Sequence, residues 1–184
     1  MRSLEVVSAE AAVCTRCPLA EGRTHVVFGV GDPNADVMFV GEGPGAEEDR
    51  LGQPFVGRSG KLLDRLMAEE MGLTRARGVY IANCVKCRPP ANRDPKPAEI
   101  DACRGYLDAQ VTAVAPKVVV TLGRFAAQTL LDTTDGIGKL RGRSYPFRTG
   151  VLIPTYHPAA VLRGGAEPMA KMRADLIRAK RAAA

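Results

Sequence analysis

The chain has 184 residues, of which 46% are hydrophobic and 25% are charged, and its formal net charge is +6 at pH 7. This composition is typical of a folded globular protein and argues against a disordered chain. No apolar run is long enough to span a bilayer, and the N-terminus lacks the apolar core of a signal peptide, so we expect a cytosolic protein that does not bind membranes.

Charge and cysteine content suggest what the chain binds. The excess of basic residues favours an anionic partner such as nucleic acid. The sequence contains 5 cysteines, which in a reducing compartment indicate metal binding or chemistry more than disulfide bonds. No internal repeat or linker is visible, so we expect one domain over residues 1–184, acting as a monomer.

Short apolar runs alternate with amphipathic segments along the chain, and this alternation predicts an α/β fold with a mostly parallel sheet flanked by helices. Residues 26–28 could form an edge strand. The four main strands are predicted at residues 37–40, 79–82, 118–122 and 151–154. Helices are predicted at residues 3–13, 61–71 with Ser59 as N-cap, 97–115, 123–131 and 168–180.

The most distinctive stretch follows the strand at residues 37–40, which runs into Gly41-Glu42-Gly43-Pro44-Gly45. Glycines let a backbone or a ligand approach closely, and such turns at strand ends often form ligand sites in α/β proteins. The motif also fits a relaxed dinucleotide fingerprint. However, Pro44 interrupts it, Glu42 would repel a pyrophosphate, and no ribose-binding acid ends the next strand. A nicotinamide or flavin site is therefore disfavoured.

Polar side chains follow three of the predicted strands. Glu42, Asn83 and His157 each lie just past a strand end. Because the carboxyl ends of parallel strands share one edge of a sheet, we expect these side chains to converge in one site. The other histidine, His25, lies in a polar N-terminal segment and is not expected to take part.

The cysteines have spacings that suit metal binding. Cys14 and Cys17 form one CxxC unit, Cys84 and Cys87 form another, and Cys103 stands on a predicted helix. Zinc held by the two CxxC units and an iron–sulfur cluster that includes Cys103 both fit this spacing. Buried cysteines without a metal are the alternative. A bound metal is expected to pin loops, which is a structural role.

Four motifs resemble those of the family 4 uracil-DNA glycosylases, the iron–sulfur members of the uracil glycosylase superfamily. They are Gly41-Glu-Gly-Pro-Gly-Ala-Glu-Glu-Asp49, Gly52-Gln-Pro-Phe-Val-Gly-Arg-Ser-Gly60, Asn83-Cys-Val-Lys-Cys-Arg-Pro-Pro90 and His157-Pro-Ala-Ala-Val-Leu-Arg163. The resemblance extends from Cys14 to the last helix. It implies a three-layer α/β/α sandwich around a short, mostly parallel four-stranded sheet, and excision of uracil from DNA. It also implies a [4Fe-4S] cluster held by Cys14, Cys17, Cys87 and Cys103.

Together with the resemblance, the chemistry of base excision assigns roles to individual residues. The Asn83 amide would pair with uracil O4 and N3–H, an arrangement that cytosine cannot satisfy. Phe55 would stack on the flipped base. His157 would donate to uracil O2 as negative charge grows there, and Glu42 would assist the attacking water, with Glu47 as the alternative. The predicted substrate-binding residues are Gly41, Gly43, Phe55, Ser59 and Asn83.

DNA binding requires cations for the phosphates and a wedge for the gap left by the base. Backbone N–H groups near Ser59 could form an anion site. We predict DNA contacts from Lys86, Arg88, Arg141, Arg143, Val161, Leu162 and Arg163. The substrate is uracil-containing DNA, single- or double-stranded. Gly45 stands where some relatives carry an aromatic residue, so no guard against thymine is evident.

Two other functions fit parts of the pattern. A metal-stapled nucleic-acid-binding module without catalysis would share the charge and the cysteines but would not need Glu42 or His157. A redox enzyme would use a cluster to exchange electrons with a nicotinamide. Uracil release separates the first alternative from a glycosylase, and a nicotinamide-dependent change in the cluster's absorbance would identify the second.

Overall fold

The computed structural model describes residues 2–184 and shows a central sheet with helices on both faces. Within these residues, six strands form the sheet: β1 (Val30–Gly31), β2 (Val37–Gly41), β3 (Val79–Asn83), β4 (Val118–Leu122), β5 (Tyr145–Phe147) and β6 (Gly150–Thr155). The helices are α1 (Leu4–Ala12), α2 (Leu19–Gly22), α3 (Ala46–Leu51), α4 (Arg58–Leu66), α5 (Pro97–Val114), α6 (Arg124–Leu131), α7 (Ile137–Leu140), α8 (Pro158–Gly164) and α9 (Ala166–Ala183). A π-helical turn, Met67–Met71, continues α4, and a 3₁₀ turn, Pro90–Asn92, follows β3.

The sheet has the strand order β1-β3-β2-β4-β6-β5. Strands β3, β2, β4 and β6 are parallel, whereas β1 and β5 pair antiparallel at the two edges. The four parallel strands are those predicted from the sequence, but the prediction of a four-stranded sheet is wrong. The edge strands have 2 and 3 residues, too few for an apolar pattern to be recognised. Strand β1 also lies after residues 26–28, where an edge strand was predicted.

Residues of the central strands alternate between two hydrophobic clusters. Every residue of β2, β3 and β4 is buried, as is usual for parallel strands covered on both faces. Phe39 and Ile81 pack with residues of α4 and α9 on one face, while Met38 and Tyr80 pack with residues of α5 and α6 on the other. A third cluster joins α1 and α2 to α5 and to the segment after β3. The carboxyl edge of the sheet is thereby held in place from both faces.

The helices confirm most of the predicted positions, and α4 is the main exception. It begins at Arg58 with Gly57 as N-cap, so the prediction that Ser59 caps it is wrong. The Glu48 carboxylate accepts hydrogen bonds from the backbone amides of Val56 and Gly57, at 2.9 and 3.0 Å, and so fixes the chain where the helix starts. Among the described residues, no helix combines the length and the apolar character that a membrane span requires.

The connections leave a crevice at the carboxyl edge of the sheet. The chain runs from β2 to its neighbour β3 and then crosses to β4, on the other side of β2. Where the connections change direction in this way, the loops after the strands diverge. The resulting crevice is where α/β proteins commonly bind ligands.

Candidate active site

Strands β2 and β3 bring Gly41 and Asn83 side by side. The two residues are paired in the sheet, and the amides of Cys84 and Val85 continue the pairing by donating to the carbonyls of Gly41 and Glu42 at 2.9 and 3.1 Å. A Cβ on residue 41 would lie 2.4 Å from Asn83 Oδ1 and 2.5 Å from Phe55 Cζ. Only glycine allows this approach, so Gly41 shapes the site by having no side chain.

A first cavity, with a volume of about 310 Å³, opens beyond these strand ends. It brings together residues predicted from the sequence to bind substrate, and its lining includes Gly43, Phe55, Ser59, Asn83 and His157. The ring centroids of Phe55 and His157 are 5.8 Å apart, and the ring planes are inclined to each other by 34°. The cavity therefore offers an aromatic face together with polar groups at its end, as a site for a flat, polar ring requires.

Asn83 is the most informative residue of the first cavity. It is 1% exposed, and its Oδ1 is one of two buried side-chain polar atoms in residues 2–184 without a hydrogen-bond partner. An unpaired buried amide oxygen costs about 1–3 kcal/mol, so such atoms usually have a functional explanation. A ligand that pairs with the amide in this cavity would remove that cost.

The loop that carries Phe55 is rigidly held. Phe55 has a left-handed backbone, with φ of 53°, and Arg75 donates hydrogen bonds to the carbonyl of Pro54 at 2.6 Å and to that of Phe55. A Cβ on Gly60 would lie 1.6 Å from the Phe55 carbonyl oxygen, so the loop rests directly on the first turn of α4. The hydrogen bonds from Arg75 and the close contact with Gly60 thus set the position of the aromatic ring.

His157 is the N-cap of α8. Its Nδ1 accepts a hydrogen bond from the Ala159 amide at 3.1 Å, so the proton of the neutral ring lies on Nε2. The pKa of His157 is lowered to about 4, mainly by burial and also by Arg163, while Glu48 partly opposes this shift. Near neutral pH, His157 is therefore an uncharged hydrogen-bond donor.

A second cavity, of about 480 Å³, adjoins the first and shares Gly43 and His157 with it. Glu42 lines this second cavity together with Asp94 and Arg163. The pKa of Glu42 is raised to about 7, mainly by burial and also by Asp94, while Arg124 partly offsets this rise. Glu42 and Asn83 therefore face two neighbouring spaces, with His157 between them.

The other acidic residues of the glycine motif have structural contacts. Glu47 is exposed and forms an ion pair with Arg50 at 2.8 Å, although it also reaches the rim of the first cavity. Asp49 is buried and accepts hydrogen bonds from the backbone amides of Thr24 and His25. His25 in turn bonds the Asp49 carbonyl at 2.8 Å. These contacts tie the N-terminal segment to α3, away from the two cavities.

Four of the five cysteines share one small apolar pocket. Cys14, Cys17, Cys87 and Cys103 line it, and all the cysteines are free thiols. Cys84 instead packs in the hydrophobic cluster that contains α5 and α6 residues. Among residues 2–184, no group of three or more cysteine, histidine or acidic side chains is placed so that it could hold a single metal ion.

Three of the predicted DNA contacts are corrected by their surroundings. Lys86 is 1% exposed, and its Nζ donates to the Asn83 carbonyl at 2.7 Å and to Gln110 Oε1 at 2.5 Å. Arg141 forms two hydrogen bonds with buried Asp175, at 2.9 and 2.7 Å. Val161 is 1% exposed and packs in the core. None of these three side chains is free to contact DNA in this structure.

The remaining predicted contacts differ in position. Leu162 is 41% exposed, which leaves it as the apolar side chain of α8 able to act as a wedge. Arg163 is exposed and lines the second cavity. Arg88 is half-buried and donates to Asn92 Oδ1 at 2.7 Å. Arg143 is exposed but lines neither cavity.

Two charged residues near Glu42 were not identified from the sequence. Asp94 lies in the proline-rich loop after β3, and Arg124 is the first residue of α6. They lie 3.9 Å apart and shift the pKa of Glu42 in opposite directions. Their distance from Glu42 along the chain left nothing in the sequence to connect them with it.

The chain is similar to proteins of one family over most of its length. The family model described as the uracil DNA glycosylase superfamily matches residues 28–179. A type-4 uracil-DNA glycosylase of Sulfurisphaera tokodaii is 46% identical over 170 residues, which cover 88% of this chain and 77% of that protein. That of Archaeoglobus fulgidus is also 46% identical, covering 88% and 84%. That of Thermotoga maritima is 47% identical over 162 residues, covering 87% and 83%.

Proposed function

The chain belongs to the uracil DNA glycosylase superfamily, and we propose that it is a DNA repair enzyme that removes uracil from single- or double-stranded DNA. It hydrolyses the N-glycosidic bond, releasing free uracil and leaving an abasic site. The proposal includes action as a monomer in the cytosol, where the free thiols would remain reduced.

The observation that carries this proposal is the unpaired amide oxygen of Asn83 in a cavity beside Phe55. A base must leave the helical stack before an enzyme can act on it. Uracil would then stack on Phe55 and pair its O4 and N3–H with the amide. Cytosine has the opposite donor and acceptor at these positions, and each mismatched buried group would cost about 1–3 kcal/mol.

The two cavities suggest how the bond is broken. With uracil in the first cavity, the deoxyribose would lie towards the second, near Gly43 and His157. As the bond between N1 and C1′ breaks, the electron pair moves onto uracil, and His157 Nε2–H stabilises the charge on O2. Water attacks C1′ and transfers a proton to the Glu42 carboxylate. Ser59, at the first turn of α4, would hold a phosphate of the flipped nucleotide.

The direct test is release of free uracil from an oligonucleotide with one uracil. The wild-type protein is expected to release it, while matched oligonucleotides with cytosine at that position release no base. A double variant, Glu42→Ala with His157→Ala, purified in the same way, controls for contaminating glycosylase. Wild-type release no greater than that of the double variant would contradict the proposal and favour a binding module without catalysis.

We further propose that Cys14, Cys17, Cys87 and Cys103 hold a [4Fe-4S] cluster. Four cysteines around one apolar pocket are the donor set that such clusters use. Arg23 donates to Cys87 Sγ at 3.5 Å, and the Lys86 amide donates to Cys103 Sγ at 3.4 Å. Such N–H groups stabilise thiolate ligands. When bound, the cluster would cross-link the N-terminal helices, the loop after β3 and α5.

Replacing individual cysteines tests the ligand set. Cys103→Ala is expected to lose the brown colour and most of the iron, because one of four ligands is missing. Cys84→Ala is the matched control, because Cys84 is also buried but packs with α5 and α6 residues, and this variant should keep about four iron atoms per chain. Iron content and visible absorbance are the measurements. Loss of iron in Cys84→Ala with retention in Cys103→Ala, or zinc in place of iron, would overturn the assignment.

A further inference from the structure

Helix α4 carries three exposed cations on one face. Arg58, Lys61 and Arg65 recur at spacings of three and four residues, which places them on the same side of the helix. Together with Leu62 and the exposed Leu162 of α8, they line a groove of about 320 Å³. We call this surface the α4 basic groove.

The charge of this groove is largely uncompensated. Within residues 2–184, neither Arg58 nor Lys61 forms an ion pair, and the only pair of Arg65 is with Glu69 at 3.9 Å, where both side chains are about half exposed. An exposed pair at that distance is weak, so Arg65 remains available to another anion. Neighbouring uncompensated cations on one helix face repel each other and favour an anionic partner.

The position of the groove indicates which anion it would bind. Arg58 lines both this groove and the first cavity, and Leu162 is the exposed side chain predicted to fill the gap left by the flipped base. The DNA strand that delivers a nucleotide to the first cavity must therefore pass close to Arg58. From Arg58 to Arg65 the helix rises about 10 Å, and one strand of B-DNA advances about 3.4 Å per nucleotide. Along a strand that runs beside the helix, the three cations thus extend over about three nucleotide steps, enough to reach more than one phosphate.

We propose that the α4 basic groove binds the phosphates of the strand that carries the uracil, on one side of the flipped nucleotide. This inference rests on the proposed function, since it assumes that DNA is the substrate. Lys61 and Arg65 supply charge for DNA affinity, while the chemistry occurs in the two cavities. The contacts bind phosphate without reading sequence.

The test uses Lys61→Gln combined with Arg65→Gln, because neither residue lines either cavity. Arg178→Gln combined with Arg181→Gln is the matched control: it removes the same charge from exposed positions of α9, elsewhere on the surface. Binding of a fluorescent oligonucleotide is measured by anisotropy at several salt concentrations. This readout does not need turnover, so it remains valid even if no uracil is released.

The α4 double variant is expected to bind DNA about tenfold more weakly or worse at low salt. The slope of log affinity against log salt should fall by about 2, close to one unit for each lost phosphate contact. The rate of uracil release at saturating DNA should stay within twofold, and so should kcat/KM on a trinucleotide with central uracil. The α9 control should retain most of the wild-type slope.

Three outcomes would overturn the inference. The first is an unchanged slope in the α4 double variant. The second is an equal loss of slope in the α9 control, which would indicate an effect of net charge alone. The third is a change that appears with duplex DNA but not with a single-stranded uracil oligonucleotide, which would place the contact on the complementary strand.

Discussion

Glu42→Gln is expected to lower the rate of uracil release at saturating DNA by about 10²–10⁴-fold, the usual contribution of a positioned general base. Glutamine keeps the size of the side chain and one of its acceptor oxygens, but its amide cannot accept the proton from water. The loss should therefore appear in kcat, while binding of uracil-containing DNA changes little. Single-turnover release at saturating enzyme measures this directly. A rate within threefold of wild type would exclude Glu42 from the chemistry and direct attention to Glu47.

The pH dependence of the wild-type enzyme follows from the environment of Glu42. Its carboxyl pKa is raised to about 7, mainly by burial, and the base is active only when ionised. The rate should therefore rise about tenfold per pH unit below the pKa and level off above it. In Glu42→Gln this ascending limb should be absent. A wild-type rate that is flat from about pH 5 to 9 would contradict the assignment.

Two charged neighbours of Glu42 allow the ascending limb of the pH–rate profile to be shifted in opposite directions. Asp94 raises the pKa of Glu42, so Asp94→Asn should shift the limb to lower pH. Arg124 lowers the pKa, so Arg124→Gln should shift the limb to higher pH. The plateau rates should stay near wild type, because neither residue is assigned a part in the reaction. Shifts in the same direction in both variants would mean that the limb belongs to another group.

Stability gives an independent check on Glu42. A folded-state pKa above the unfolded value means that the folded protein binds the proton more tightly, so stability falls as pH rises from the unfolded pKa through about 7. Glu42→Gln removes this penalty. Urea unfolding at about pH 8 should show a variant at least as stable as wild type, which would separate loss of chemistry from loss of folding.

The parallel part of the fold could be predicted because its strands are apolar at most positions. Residues 37–40 and 118–122 are continuous apolar or β-branched runs followed at once by glycine, and both form central strands. The edge strand β5 contains Pro146, and its exposure alternates weakly with no fully buried residue. Strand β5 forms because β6 is available to pair with it. Such pairing depends on the tertiary structure, so the local sequence pattern does not predict it.

The convergence of Glu42, Asn83 and His157 was predictable from topology, because parallel strands end at one edge. Their division between two cavities was not, since it depends on which way each side chain leaves its turn. The prediction that Lys86 contacts DNA was wrong because the residue is buried. Its position in a basic, proline-rich loop suggested a surface, but the ammonium group binds the Asn83 carbonyl and Gln110 inside the protein. The spacing of Arg58, Lys61 and Arg65 was visible in the sequence. That the three side chains share an exposed face of α4 became clear only from the structure.

His157→Asn is the second substitution expected to have a large effect. Asparagine is a good N-cap residue, so it can replace Nδ1 as acceptor for the Ala159 amide and keep the start of α8 intact. Its shorter side chain cannot place a donor where Nε2 lies. We expect kcat to fall by about 10²–10³-fold, the usual cost of losing one preorganised donor to a developing anion. The free energy of unfolding should change by less than about 1 kcal/mol. His25→Asn is the matched control and should keep its activity, because His25 contacts Asp49 and lines neither cavity.

A comparison of two leaving groups tests whether His157 acts as this donor or only shapes the cavity. If Nε2–H stabilises the departing anion, a base that carries negative charge more easily needs that hydrogen bond less. The defect of His157→Asn relative to wild type should therefore be several-fold smaller with 5-fluorouracil than with uracil in the same oligonucleotide. Because the pKa of His157 is lowered to about 4, the wild-type rate should show no separate titration of this ring above about pH 5, and the limb of Glu42 should persist in the variant. An equal defect with both bases would show that His157 positions the nucleotide without stabilising the charge, and the donor to O2 would have to be sought elsewhere in the first cavity.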